Sequence, residues 1–157
     1  MPVEVPSQAD IAYQYEMWVG RTVAEALVWT QILGIENLPF PDQVPEDVDV
    51  THMQSPGRTR ETIPGLLPVV DASLEKQYWP AHAGDVLLEE LAGLTAAGTR
   101  EDVLFEFNTG GATPAARRTY RGYVNTFTPS GTVGDKAMVA TAMKIFERQA
   151  TNARVIA

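Results

Sequence analysis

The stretch RRTYRGYVNTFTPSG (117–131), followed closely by DKAMVATAMKIFER (135–148), decides the fold of this chain. Both runs are rich in β-branched and aromatic residues, which favour strands. The residues that join them, SGTVG (130–134), have the composition of a turn. The two runs therefore predict a long antiparallel strand pair.

Apolar side chains lie on both faces of this predicted pair. Because side chains alternate along a strand, Tyr120 and Val124 lie on one face, and Tyr123 and Phe127 lie on the other. The second run has the same arrangement, with Val139 and Ile145 facing away from Met138 and Phe146. An antiparallel sheet in a small domain commonly has one face exposed to solvent. The second apolar face therefore needs a cover, from this subunit or from a neighbour.

Length, charge and cysteine content limit the class of protein. The 157 residues suit one domain with a core, and the absence of cysteine excludes disulfides. A net charge of −8 argues against specific DNA binding, which depends on Lys and Arg, but an acidic wall would let a duplex slide past. The sequence also lacks a long apolar run, so we expect no membrane insertion.

Turn signals and periodicity divide the chain into short strands and one helix. The predicted fold class is mainly β (α+β), with strands dominating and one helix late in the chain. The predicted parts are an extended arm (1–12), a β domain (13–148) and a tail (149–157), with further strands in 13–20, 24–40, 47–53, 69–79 and 101–108. The helix is predicted over 84–98, with Asp85 as its cap and Leu87, Leu91 and Leu94 on its apolar face.

The segment QSPGRTRETIPGLLP (54–68) is predicted to be a long loop that carries apolar and charged groups. Long loops of this kind are usually functional. Its apolar and charged groups, which favour a role in assembly, are Arg58, Arg60, Ile63, Leu66 and Leu67. The second arginine group, Arg117, Arg118 and Arg121, is also expected at an interface. In so acidic a chain, pairing with carboxylates of a neighbouring element or subunit is favoured over phosphate binding.

The sequence offers no arrangement typical of catalysis. Its two histidines, His52 and His82, have no second ligand at metal spacing and are interpreted as structural. The glycine pair in NTGGAT (108–113) is explained by a turn between strands. We therefore expect a protein that is not an enzyme and needs no cofactor.

Several segments together resemble the major tail tube protein of long-tailed bacteriophages and phage-like gene transfer agents. They are DVDVTHM (47–53), RETIPGLLP (60–68), VDASLEKQYWP (70–80), DVLLEELAGL (85–94), DVLFEF (102–107) and the strand pair quoted first. The most specific feature is a pattern along one strand: Tyr120, Gly122, Val124, Phe127, Pro129 and Ser130. The resemblance covers about residues 45 to 148.

The resemblance implies a tail-tube type of fold, a β-sandwich or small barrel of about seven to eight antiparallel strands with one flanking α-helix, and a structural virion protein. Six copies would close into a ring by pairing sheet edges, and the rings would stack into a hollow tail tube through which DNA passes without sequence recognition. It also implies that the loop (54–68), through Arg58, Arg60, Ile63, Leu66 and Leu67, forms a subunit or ring interface, and that the arm or the tail contacts neighbouring copies. The implied partners are tail tip or initiator proteins, a tail terminator and a tape measure protein in the lumen. The protein would be made in the bacterial host cytoplasm and reside in the virion.

Two other interpretations stay open. The first is the tube protein of a type VI secretion system or another contractile injection system, which resembles the same fold. The second is a monomeric β-sandwich that binds carbohydrate or peptide, with Trp18 or Trp79 as a binding platform.

Overall fold

A computed structural model describes residues 4–7, 9, 12–149 and 153–155. Most strands within these residues belong to one antiparallel sheet, and one α-helix packs on it. The elements are β1 (Glu16–Val23), β2 (Ala26–Ile32), β3 (Ile35–Asn37), β4 (Asp47–Asp49), β5 (Thr62–Pro64), β6 (Val70–Gln77), α1 (Ala83–Ala96), β7 (Val103–Asn108), β8 (Arg117–Ser130) and β9 (Met138–Arg148). The predicted class, mainly β with one flanking helix, is confirmed.

The main sheet has seven strands in the order β2-β1-β7-β8-β9-β6-β3. The first and last strands in this order are joined by only Leu33 and Gly34, which bring Ile32 and Ile35 within about 11 Å of each other. Gly34 makes this corner with a φ of +80°, and its carbonyl accepts a 2.8 Å hydrogen bond from the Gln77 amide. The sheet therefore curls back on itself as a small barrel.

The core lies on the inner face of the curled sheet, where α1 covers it. The fully or nearly fully buried apolar side chains include Met17, Val19, Ile32, Leu74, Leu88, Leu91, Phe105, Phe107, Tyr120, Val124, Met143 and Ile145. Burying one such side chain contributes roughly 1.5–3 kcal/mol. The predicted β8–β9 pair forms the centre of the sheet, because β8 pairs with β7 on one side and with β9 on the other.

A bulge in β8 corrects the predicted facing of Phe127. The pairing steps from Val124↔Met143 to Thr126↔Ala142, which leaves Asn125 as an extra residue. Phe127 then packs against the core, on the same side as Val124 and not opposite to it. The facing of β9 is as predicted, with Val139 and Ile145 buried.

The helix begins differently from the prediction. Its N-cap is His82, whose Nδ1 accepts a 3.1 Å hydrogen bond from the Gly84 amide. Asp85, the predicted cap, is buried instead, with Oδ1 2.5 Å from Lys76 Nζ. Because the Asp85 carboxylate makes its hydrogen bonds beside the buried Lys76 ammonium, Asp85 does not cap the helix, and His82 takes the N-cap position. The helix turns Leu88 and Leu91 to the core, while Leu87 and Leu94 are only partly buried.

The strand predicted over 47–53 is shorter and lies outside the main sheet. Only Asp47–Asp49 is extended, and it pairs with Thr62–Pro64 from the predicted loop. Asp49 Oδ1 accepts the Thr51 amide at 2.9 Å, and such local side-chain bonds turn the chain out of a strand. We call the resulting two-stranded unit, residues 47–64, the hairpin.

The described residues of the predicted arm, 4–7, 9 and 12, have no regular secondary structure. Within the described part of the chain, no helix is long and apolar enough to cross a membrane.

Candidate assembly surfaces

The hairpin carries a set of exposed apolar side chains. Val48 and Ile63 are 45% and 50% exposed, Met53 at the turn is 94% exposed, and Leu66, directly after the hairpin, is 82% exposed. Backbone hydrogen bonds hold the hairpin base, from the Glu46 amide to the Leu66 carbonyl at 3.0 Å and from the Gly65 amide to the Glu46 carbonyl at 2.6 Å. The hairpin is thus an ordered projection with an apolar surface, which on a soluble protein typically marks a contact site.

The structure places the interface residues predicted in the loop on this projection or directly after it. Ile63 lies in β5, and Leu66 and Leu67 follow it, all exposed. Arg60 is 2.9 Å from Asp49 on the paired strand, and Arg58 lies in the turn with a φ of 55°. Hydrogen bonds from Thr51, with Arg60 nearby, hold the pKa of Asp49 below its ordinary value.

The second arginine group has partners within the subunit. Arg117 lies 2.6 Å from the buried Glu106, and Arg118 lies with its guanidinium 5.6 Å from the centre of the Phe40 ring. Arg121 binds Glu147 at 2.8 Å and Asp102 at 2.7 Å. Hydrogen bonding to Glu147 raises the pKa of Arg121, and the same contact lowers the pKa of Glu147. Contact between these arginines and a neighbouring subunit stays a prediction.

The aromatic part of the outer face of the β8–β9 pair is covered by arginine side chains of the same subunit. Tyr123 and Phe146 pack together with ring centres 5.8 Å apart. The guanidinium of Arg100 lies 5.0 Å from the Phe146 ring centre, and that of Arg121 lies 4.6 Å from it. This part of the second face is therefore covered by stacked arginines. The role of Arg100 was missed because its ring partners lie 23 and 46 residues further along the chain.

Beyond the bulge, the outer face consists mainly of small side chains. Before the last row, Ser130–Met138–Gln77, two cross-strand rows form it: Thr126–Ala142–Ser73 and Thr128–Ala140–Glu75. Neither row contains an aromatic residue, a lysine or an arginine, and each residue except the half-buried Ala142 is exposed. We call these six residues the small-residue face.

The strand pattern singled out in the sequence serves the core of the subunit. Tyr120 and Val124 are buried, and Phe127 packs against the core. At Gly122 an added Cβ would be 2.0 Å from the Lys144 carbonyl oxygen, so no larger residue fits the observed backbone. The last two residues of the pattern, Pro129 and Ser130, lie at the exposed end of β8.

The two tryptophans considered as binding platforms are in different settings. Trp18 is covered by Arg154, whose guanidinium is 4.0 Å from the ring centre. Trp79 is 40% exposed, and its ring meets the His82 ring edge-on at 5.9 Å. Among the described residues, no group of three or more His, Asp or Glu side chains is placed to hold a metal ion.

No protein-family model matches this chain, and neither does any curated protein. Solved structures do match it, at low sequence identity. One is the tail of an empty gene transfer agent particle with C6 symmetry, 17% identical, with a TM-score of 0.60 over 83% of this chain and 91% of the other. A second is the sheath-tube complex of an extracellular contractile injection system, called PVC, 13% identical, with a TM-score of 0.62 over 90% of each chain.

A third match is the SPP1 tail tube, 10% identical, with a TM-score of 0.55 over 86% of this chain and 74% of the other. These likenesses show the fold. Over most of its length, this chain has the fold found in tubes of tails and injection systems. The tail-tube fold expected from the resemblance is confirmed.

Proposed function

We propose that this chain is the structural subunit of a phage-like tail tube and has no catalytic role. The observation that carries the proposal is the tail-tube fold, matched over most of the chain in a gene transfer agent tail and in a phage tail tube. The apolar hairpin supports it, because a subunit of a stacked tube needs an ordered contact surface beyond its own core. Such a protein resides in the tail of the virion.

Six copies form a ring by pairing strand edges head to tail, as in the C6 symmetry of the gene transfer agent tail. Within the described residues, the sheet has two sides where a neighbour's strand could pair. One is the side of β2 away from β1, where Leu27 and Val28 are exposed. The other is the part of β6 beyond its short pairing with β3, which involves only Glu75 and Lys76. Open apolar edges are avoided in monomers because they pair with other chains.

Rings stack through the hairpin, and the bore carries DNA. The small-residue face suits the wall of a bore, since it offers hydroxyl, methyl and carboxylate groups and no cation that would hold a phosphate. A duplex would pass such a wall without specific contacts. A tail tip or initiator protein, a terminator and a tape measure protein complete the proposed set of partners, with synthesis in the host bacterium.

A contractile injection system is the second candidate, because the likeness to the PVC complex is as good as the likeness to the gene transfer agent tail, with TM-scores of 0.62 and 0.60. The PVC structure is a sheath-tube complex, so a tube of that kind should bind a surrounding sheath, whereas the tail-tube proposal requires none. Binding of a purified sheath protein to assembled tubes would separate the two. A monomeric ligand-binding protein would instead stay monomeric and change its tryptophan fluorescence with ligand.

The contact role of the hairpin is tested by Ile63→Asp. This substitution places a charge on an exposed residue, so the subunit should keep its melting temperature. In the tube the charge would be buried without a partner, which disfavours assembly strongly. We expect the variant to remain monomeric in light scattering at concentrations at which the unmodified chain assembles.

The matched control is Val86→Asp on α1, because Val86 is 49% exposed and Ile63 is 50% exposed. An aspartate in the first turn of a helix is electrostatically favourable, so the control should fold and assemble. Normal assembly of Ile63→Asp would remove the hairpin from the subunit contacts.

A further inference from the structure

A short segment far along the chain, residues 153–155, is held on the outer face of the sheet by one arginine. Arg154 Nε lies 2.7 Å from Glu106 Oε2, and its guanidinium lies 4.0 Å from the centre of the Trp18 ring. The Arg154 carbonyl accepts a 2.5 Å hydrogen bond from Arg117. The Arg154 side chain is only 14% exposed, so this is an enclosed anchor.

The anchor is built into the fold through Glu106. This side chain is fully buried, and each of its oxygens has a guanidinium partner, Arg117 at Oε1 and Arg154 at Oε2. A buried carboxylate depends strongly on such partners, because a buried charge without them is costly. The segment therefore has a defined position on the sheet, and the charge of its arginine is matched there.

With Arg154 turned inward, the segment presents apolar groups outward. Val155 is 86% exposed, and Ala153 is also exposed. Beside them is an open cavity of about 520 Å³ whose other walls are Trp18, Leu27 and Trp29. Leu27 and Trp29 belong to β2, the strand at the open side of the sheet.

We propose that the 153–155 segment, fixed by Arg154, forms part of the contact with a second copy of this chain along β2. The surface is apolar and the arginine beside it is already paired, so it suits neither a polyanion nor a metal ion. It is continuous with an open strand side, which offers backbone groups to another chain. This inference rests on the proposed tube function, which supplies the second copy.

The experiment uses the absence of cysteine from the chain. In Val155→Cys, the only thiol lies at a position that is exposed in the free subunit. We expect a maleimide dye to label the free subunit rapidly and the assembled tube at least tenfold more slowly. The same labelling rate in both states would overturn the proposal.

Two further variants test whether the contact matters for assembly. Val155→Asp should fold with an unchanged melting temperature and raise the concentration needed for assembly at least tenfold, whereas Val155→Ile should assemble normally. Assembly of Val155→Asp at the usual concentration would overturn the proposal.

Failure of the tube function gives a different result. If the unmodified chain formed no rings under any condition, including with tail tip proteins, both proposals would fall together. If the unmodified chain formed rings but the thiol of Val155→Cys stayed fully reactive in them, only the contact through 153–155 would be wrong.

Discussion

At the residue scale, Gly122 is the position where the observed sheet has least room for any other residue. An added Cβ would lie 2.0 Å from the Lys144 carbonyl oxygen and 3.2 Å from Phe105 Cε2. Backbone atoms of β9 would have to move, so we expect Gly122→Ala to lower the free energy of unfolding by about 3 kcal/mol. Urea denaturation followed by tryptophan fluorescence measures this change.

The control for this substitution is Gly93→Ala in α1, where an added Cβ has no neighbour within 4 Å. Alanine is the better helix former, so this variant should gain about 0.5–1 kcal/mol. Opposite signs for the two variants would support the close approach of β8 and β9. A Gly122→Ala variant as stable as the unmodified chain would contradict it.

Single residues also show which side-chain positions could be predicted from the sequence and which could not. Tyr120 and Val124 were correctly placed on one face, which the structure shows to be the buried one, since strand alternation alone decides that they share a side. Phe127 was placed on the wrong side because the bulge at Asn125 depends on the register with β9, which is not local information. Asp85 was misjudged for a similar reason, because its partner Lys76 lies across a turn.

At the element scale, the Lys76–Asp85 pair connects β6 to the first turn of α1. Lys76 is fully buried, and Asp85 also accepts the Trp79 amide at 2.8 Å through Oδ2. We expect Asp85→Ala to lower the free energy of unfolding by about 3–5 kcal/mol, since it leaves a buried ammonium without its carboxylate. Chemical denaturation would measure the loss.

A double-mutant cycle isolates the pair. The double variant Lys76→Met/Asp85→Leu replaces both charges with apolar groups, so it should be more stable than the single variant Asp85→Leu, and the cycle with Lys76→Met should give a coupling free energy well above 1 kcal/mol. Additive effects of the two substitutions would mean that the pair does not join strand to helix.

The hairpin shows the limit of sequence patterns for short elements. The composition of 54–68 correctly predicted an exposed apolar segment, and Ile63 and Leu66 are exposed as expected of such a surface. The pattern did not predict that Asp47–Asp49 would leave the main sheet to pair with Thr62–Pro64. Three-residue strands are fixed by partners and turns, and alternation over so few residues contains little information.

At the scale of the whole molecule, the fold class followed from composition and strand periodicity, but closure did not. The barrel closes because β2 and β3 form one bent segment at Gly34 that pairs with β1 before the bend and with β6 after it. No local pattern distinguishes such a bend from an ordinary loop. Assembly is harder still to predict from sequence, because it depends on the strand edges and sheet faces that a single subunit leaves exposed.

The most direct test of the tube proposal is electron microscopy of the purified unmodified chain over a concentration series, with light scattering for mass. The account predicts six-fold rings or hollow tubes of uniform bore, formed by the chain alone or after tail tip proteins are added. Persistent monomers in both conditions would contradict it.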